Sequence, residues 1–171
     1  MEPEEVLSMI NRLLARIVLF FVPAASEIVE EARRTLFAAL TVPEFDRYRW
    51  TDEDLLWVID HHAEPDVRQL ATRRLKSKAT VTRLLRSHPD EPVRLACLGL
   101  VEDQTLLVDC ANTDRSEQVR LAAARCVNVR DRVLELQRSP FADVRLVAHE
   151  WLSKNQPKQK RKRKGADPNV N

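Results

Sequence analysis

A Val-Arg pair followed by an apolar run recurs through the middle of this chain at nearly constant spacing. The pairs begin at Val67, Val93, Val119 and Val144, so successive copies are 26, 26 and 25 residues apart. A repeat of this length is typical of stacked supersecondary units, in which each unit buries its apolar face against its neighbours. The spacing therefore predicts a stack of units rather than one shared globular core.

Two further columns appear when the copies are aligned on that valine. The residue four positions after the valine is small in every copy, and the residue eight positions after it is aliphatic. The small residues are Ala71, Cys97, Ala123 and Ala148, and the aliphatic ones are Leu75, Val101, Val127 and Leu152. Places zero, four and eight share one face of a helix, with the small side chain where two helices come closest. Each copy thus begins with an amphipathic helix.

A second helix is predicted inside each copy. Its apolar positions are Val81, Leu84 and Leu85, then Leu107, Cys110 and Ala111, then Val133 and Leu136. The joints at 87–90, 112–114 and 139–140 are rich in residues that cap or break helices. Each copy is therefore predicted to be a helical hairpin.

These columns resemble the HEAT family, whose first helix commonly opens with an acidic residue, Val and Arg and continues to Ala and Leu. Residues 66–75 and 143–152 carry that pattern. The short period is most similar to the leucine-rich repeat variant, a bacterial repeat of the same class. The resemblance covers about half the chain and implies an all-α fold, a right-handed α-solenoid of about four hairpins. Some members of the variant group hold an iron–sulfur cluster on a cysteine-rich segment. This sequence has no such segment, and no cofactor is expected.

The domain organisation follows from the same patterns. Residues 1–22 are predicted to be an N-terminal capping helix, residues 23–155 the solenoid, and residues 156–171 a disordered basic tail. The first unit, residues 23–40, is degenerate and is followed by an insertion over 41–50. Thr51 and Asp54 then form a predicted capping box for the next helix. The apolar run at 17–22 is far shorter than a membrane span, so no membrane association is expected.

The cysteine count bears on the compartment. Cys97, Cys110 and Cys126 are odd in number and fall in apolar helical columns, which predicts buried reduced thiols. We therefore expect a reducing compartment, the cytoplasm, or the nucleus if the source is eukaryotic.

Charge is unevenly distributed along the chain. The total is +2, yet residues 154–171 alone carry +6, so the remainder is net acidic. The basic run consists of Lys158, Lys160, Arg161, Lys162, Arg163 and Lys164. A solubilising end, an arm for nucleic acid and a nuclear-import signal all remain open readings of this run. The last residues, 165–171, resemble the hairpin that joins two ankyrin repeats.

The repeated arginines allow two interpretations. Arg68, Arg94, Arg120 and Arg145 could bind phosphate, or each could pair with an acidic residue of a neighbouring turn. Acidic candidates stand at Asp66, Asp90, Glu91, Asp114, Glu117 and Asp143. An adjacent carboxylate would neutralise each arginine. We favour the structural ladder.

The candidate binding surface comes from the solenoid resemblance, which implies that the second helices line a concave face. One non-core column holds Trp57, Arg83, Asp109 and Glu135, and the other holds Asp60, Arg86, Asn112 and Arg138. Mixed charge with a large aromatic residue favours protein recognition over a phosphate groove. Trp57 is either an exposed anchor or buried beneath the 41–50 insertion.

Trp151 joins this set from the C-terminal edge. The helix after Val144 carries Val147, Trp151 and Leu152, yet the chain shows no second helix to cover it. A partner, a following domain or a second copy of the chain would bury such an edge, so self-association there is also expected as an option.

Catalytic patterns are sparse. His61, His62, His88 and His149 form no metal-binding spacing with Cys or carboxylates, and His62 and His88, which occupy the same turn column, are read as turn residues. No phosphate loop or nucleophile elbow occurs. We therefore predict a non-enzymatic scaffold that binds protein, with nucleic-acid association through the basic tail as the alternative. A remote third reading, from the HEAT-like DNA glycosylases, would use Trp57 and Asp60.

Overall fold

The computed structural model describes residue 13, residues 27–45 and residues 48–156, and this part of the chain is helical with no strand. Its ten helices are α1 (Glu27–Ala38), α2 (Val42–Phe45), α3 (Asp52–His61), α4 (Pro65–Arg73), α5 (Lys78–Ser87), α6 (Glu91–Leu98), α7 (Gln104–Thr113), α8 (Glu117–Cys126), α9 (Arg130–Leu136) and α10 (Ala142–Lys154). The all-helical prediction is confirmed. The predicted cap over 1–22, apart from Leu13, and the tail from residue 157 lie outside the described residues.

The helices pack against their neighbours in a regular order. Helices α4, α6, α8 and α10, which carry the Val-Arg pairs, each contact the next one in that series. The intervening helices α3, α5, α7 and α9 each contact the Val-Arg helix that follows them. Contacts therefore run mainly between elements that are close in sequence, as expected where each unit buries its neighbour's apolar face.

The repeat columns account for the core. The four valines are all fully buried, and the small residues four places later are equally inaccessible. The prediction for the eighth place was wrong in one respect, because α4, α6 and α8 end before reaching it. A tighter turn follows instead, in which the amide of Leu75 donates to the carbonyl of Thr72 and that of Val127 to Ala124. Leu75 and Val127 are still buried.

The 41–50 insertion has structure of its own. It contains α2, which ends at the fully buried Phe45. The Trp50 ring stacks on Phe45 with centroids 4.2 Å apart, and its indole nitrogen donates to the Phe45 carbonyl at 2.9 Å. The insertion thus contributes Phe45 and Trp50 to the core.

The predicted capping box at α3 is confirmed. The amide of Asp54 donates to the Thr51 hydroxyl at 3.2 Å, and the amide of Thr51 donates to the Asp54 carboxylate at 3.2 Å. Two otherwise unpaired backbone donors are satisfied in this way, so α3 begins where the sequence predicts.

The repeated arginines share one set of backbone bonds that the sequence did not predict. In each copy, Nη1 donates to the two carbonyls five and six residues upstream; for Arg94 these are Pro89 at 3.0 Å and His88 at 2.9 Å. The same two bonds recur at the other three positions, Arg68, Arg120 and Arg145. Each arginine therefore stabilises the turn that precedes its own helix by binding that turn's carbonyl groups.

The predicted pairing with an acidic residue of a neighbouring turn is found for three of these arginines. Nε of Arg68 lies 2.9 Å from Asp90, and Arg94 makes a two-pronged pair with Asp114 at 2.9 and 3.0 Å. Arg120 lies 3.9 Å from Asp143. Within the described residues Arg145 has no such carboxylate. Since every pair joins one copy to the next, these arginines are structural links between repeats.

A second set of links was not predicted. It uses the residue at or beside the start of each intervening helix, at intervals of 26 residues. The Asp52 carboxylate accepts from the amides of residues 76 and 77, and the Gln104 side chain accepts from those of residues 128 and 129. Lys78 pairs with Glu102, and Arg130 donates to the carbonyl of residue 155. All four side chains thus contact the next repeat 24 or 25 residues further along the chain, although the kind of bond differs among them.

The turn before each Val-Arg helix is closed by one recurring bond. The backbone amide two residues on donates to His62 Nδ1 at 3.0 Å and to His88 Nδ1 at 3.1 Å. Asp114 and Ser139 accept the equivalent bond in the next two copies. The two histidines are therefore turn residues, as the sequence predicts.

Cys97 and Cys110 are buried and Cys126 is half-buried, and all three are free thiols. The burial prediction is confirmed for the first two. Among the helices of the described chain, none has the length and apolar character needed to cross a membrane.

Candidate protein-binding groove

A groove of about 430 Å³ lies beside α5 and α7 and the turns that follow them. Its floor includes Leu85 of α5 and Leu106 and Cys110 of α7, which are all buried. Its polar lining consists of Arg86, Ser87, His88, Arg94, Asp109, Thr113, Asp114 and Arg115. An apolar floor with a polar rim is the usual composition of a recognition site.

Helical geometry places two opposite charges on the rim. Arg86 directly follows the buried Leu85, and Asp109 directly precedes the buried Cys110, so each charged residue is carried to the exposed side of its helix. The Arg86 guanidinium lies 3.9 Å from the Asp109 carboxylate, with side-chain exposures of 63% and 59%. A pair this exposed contributes little to stability, so both groups can exchange their mutual contact for a ligand.

The charged pair at the base of the groove has another role. Arg94 and Asp114 are 2% and 7% exposed and are joined by two hydrogen bonds. Removing either partner would leave an unpaired buried charge, which is strongly unfavourable. This pair therefore shapes the groove and is not available to a ligand.

His88 connects the groove to Asp60. Its Nδ1 accepts the amide of Asp90, so in the neutral ring the proton lies on Nε2. That nitrogen is 3.4 Å from Asp60, whose carboxylate is about half exposed. Asp60 is thereby placed at the edge of the groove, next to the charges of α5 and α7.

The Cys110 thiol is not an activated nucleophile. Burial raises its pKa to about 12, and the nearby Asp114 carboxylate acts in the same direction. Near neutral pH the side chain is a neutral thiol, and the thiolate is the reactive form. Cys110 belongs to the apolar floor.

Trp57 lies in different surroundings from the other predicted contact residues. It is half-buried, its ring stacks on His61 at 4.7 Å, and it contacts Phe37 of α1 at 6.3 Å. With Phe37, Asp54 and residues of α1 it lines a separate cavity of about 250 Å³. Neither of the two sequence readings, full exposure or burial under the insertion, describes it completely. Trp57 contacts His61 and Phe37, whereas Asp60 lies near His88, so the two residues do not share a site.

The remaining predicted residues do not line the groove. Arg83 and Arg138 are exposed, and Glu135 pairs with Arg132 on its own helix at 2.6 Å. Asn112 is half-buried, and its Oδ1 has no hydrogen-bond partner within the described chain. Trp151 is half-buried against the core at the far helix, α10. Lys158, Lys160 and the four basic residues after Lys160 lie outside the described residues.

Arg115, His88 and Asp114 line the groove and were not assigned to it from the sequence. Arg115 donates to the carbonyls of His88 and Pro89, which holds one turn against the next. The repeat spacing could have identified these residues, because His88 and Asp114 occupy the same turn position 26 residues apart and Arg115 directly follows Asp114. No group of three His, Cys, Asp or Glu side chains in the described residues could hold a metal ion.

No protein family, curated protein or solved structure matches this chain.

Proposed function

We propose that residues 23–155 form a right-handed α-solenoid of HEAT-like hairpins, closest to the leucine-rich repeat variant type, and that it binds a protein partner without catalysis. The solenoid assignment is supported by the serial contacts of α4, α6, α8 and α10 and by side-chain links that each join one repeat to the next. In a stack of this kind stability comes from each repeat and its nearest neighbours, which leaves one long face free for recognition.

The groove between α5 and α7 carries the binding proposal. The observation on which it depends is the exposed Arg86–Asp109 pair above an apolar floor. Arg115 adds a second exposed cation, while Arg94 is already neutralised by Asp114. Exposed charges of both signs suit a polypeptide segment that carries both an acidic and a basic side chain. A phosphate-binding groove would instead be uniformly basic.

The test compares variants of the full chain as bait for cross-linked partners, with quantification by mass spectrometry. We expect Arg86→Glu to lower retention of the specific partner at least tenfold, since a central arginine commonly contributes about 2 kcal/mol to an interface. Arg125→Glu is the matched control, because Arg125 is exposed on α8 and does not line the groove. Equal retention by wild type and Arg86→Glu would show that the groove is not the binding surface.

Nucleic-acid association through the basic tail is the second candidate, and the six cations within residues 158–164 favour it. Each phosphate contact releases counterions, so affinity would fall steeply as salt rises. The test is a salt titration of binding to generic duplex DNA with the full chain and with a chain that lacks residues 157–171. If both chains bind with the same affinity and salt slope, the tail is not a nucleic-acid arm.

A further inference from the structure

Helix α7 carries a small residue at a place where the other helices of its series carry larger ones. Cys110 is the seventh residue of α7, and Val58, Leu84 and Leu136 are the seventh residues of α3, α5 and α9. All four side chains are buried. A core that receives a smaller side chain closes only part of the space left behind. Cys110 also lines the groove of about 430 Å³, so the groove lies where α7 has less side chain than its equivalents.

Helix α7 also carries an apolar residue where its equivalents are polar. Leu106, the third residue of α7, is buried and contributes to the groove floor. The third residues of α3, α5 and α9 are Asp54, Thr80 and Arg132. Because Leu106 and Cys110 are four residues apart, they lie on one face of the helix. The two departures therefore fall on the same face, and together they give this repeat an apolar recess.

The recess has the size and the lining to receive a side chain from outside. Its volume falls within the range of small ligand pockets, and the buried Leu85 of α5 lines it together with the two residues of α7. A polar side chain placed on this floor would give up its hydrogen bonds to water and find only a thiol in exchange, which is unfavourable. An aliphatic side chain gives up no hydrogen bonds there and gains from leaving water. The floor therefore favours an aliphatic occupant.

The charges of the rim determine which residue suits the place beside that side chain. The exposed charged groups are Arg86, Asp109 and Arg115, since Arg94 and Asp114 neutralise each other at the base. Two cations and one anion leave the rim with an excess of one positive charge. Arg115 donates to backbone carbonyls, whereas Arg86 has only its exposed contact of 3.9 Å with Asp109. An acidic residue next to the aliphatic one would therefore complement Arg86.

We infer that the groove is an anchor site for one large aliphatic side chain, of leucine size, that stands next to an acidic residue in the partner segment. This inference rests on the proposed function, because it names what the groove binds. The aliphatic side chain lies between Leu85, Leu106 and Cys110, and the acidic side chain lies at Arg86. Cys110 is the residue that determines specificity. A leucine at that position would fill the site with the chain's own side chain, as happens at the equivalent positions of α5 and α9.

Titration of the full chain with capped dipeptides, followed by NMR, tests the anchor site. The probes are acetyl-Glu-Leu amide and acetyl-Glu-Ala amide, which differ only in the size of the second side chain. We expect the leucine probe to shift the amide signals of Leu85, Leu106 and Cys110 and to bind at least about fivefold more tightly than the alanine probe, since burial of each added carbon is favourable. Cys110→Leu should abolish this preference. Cys126→Leu is the matched control and should keep it, because Cys126 is half-buried on α8 and does not line the groove.

Three outcomes would overturn the inference: equal affinity of the wild-type chain for the two probes, no binding of the leucine probe in the groove, or an unchanged preference in Cys110→Leu. The first two need no substitution, so the test remains valid if Cys110→Leu fails to fold. The proposed function has a separate failure, which is equal partner retention by the wild type and Arg86→Glu. If Arg86→Glu lowers retention while the two probes bind equally, the groove binds protein and only the aliphatic anchor is wrong.

Discussion

Arg94 and Arg145 occupy the same place in their repeats but have different surroundings. Both donate to the two carbonyls of the preceding turn at nearly the same distances. Arg94 is 2% exposed and pairs with Asp114 in the next turn, whereas Arg145 is exposed and lacks a carboxylate partner among the described residues. The difference separates two kinds of contact. The carbonyl bonds belong to one repeat, while the carboxylate pair and the burial require a neighbouring repeat.

The largest effect is expected from a charge placed between two repeats. Ala123 is completely buried at the small place of α8. Ala123→Asp should lower the free energy of unfolding by more than about 3 kcal/mol, since it buries an unpaired carboxylate. Urea unfolding followed by circular dichroism measures the change. Arg130→Asp, at an exposed site on α9, should cost less than about 1 kcal/mol, and equal losses for the two variants would mean that the repeat register is misassigned.

The next effect contrasts the two arginines directly. Arg94→Ala leaves the buried Asp114 carboxylate unpaired, so we expect a loss of about 3 kcal/mol in the free energy of unfolding. Arg145→Ala removes two bonds from an exposed side chain to backbone carbonyls and leaves no buried charge unpaired, so it should cost about 1 kcal/mol or less. Both values come from chemical denaturation at one pH and salt concentration. A loss at Arg145 as large as that at Arg94 would contradict the proposed division between contacts within a repeat and contacts between repeats.

The smallest effect concerns the second set of links. The Gln104 side chain accepts two backbone amides of the following repeat, whereas the last member of that column, Arg130, makes a single bond to residue 155. Gln104→Ala should cost roughly 1 kcal/mol and Arg130→Ala a few tenths, because water can replace exposed bonds. Thermal unfolding of matched samples provides the comparison. If the two variants have the same stability, this column does not join the repeats.

The columns that depend on burial were predictable from the sequence. Val93 and Ala123 are where the 26-residue period places them, because the same packing requirement recurs in each repeat. Helix ends were less predictable. Leu75 and Val127 lie just beyond the ends of their helices. A tighter turn still places both side chains in the core, so their burial alone does not show where the helix ends.

Links made by different side chains were hidden in the sequence. His62, His88, Asp114 and Ser139 accept equivalent bonds through an imidazole, a carboxylate and a hydroxyl, so residue identity does not reveal the column. The groove could not be predicted from the spacing of residues either. Arg86 and Asp109 come from different helices, and their approach depends on how α5 and α7 are positioned, which residue spacing within one helix does not determine.

We expect the arginine of one repeat to be coupled energetically to the carboxylate of the next. A double-mutant cycle on Arg94 and Asp114 measures this coupling, with a second cycle on Arg94 and Asp90 as the reference within one turn. We predict a coupling free energy of at least about 1.5 kcal/mol for Arg94 with Asp114 and close to zero for Arg94 with Asp90. Coupling that is absent from the first pair, or larger in the second, would show that the arginines do not join the repeats.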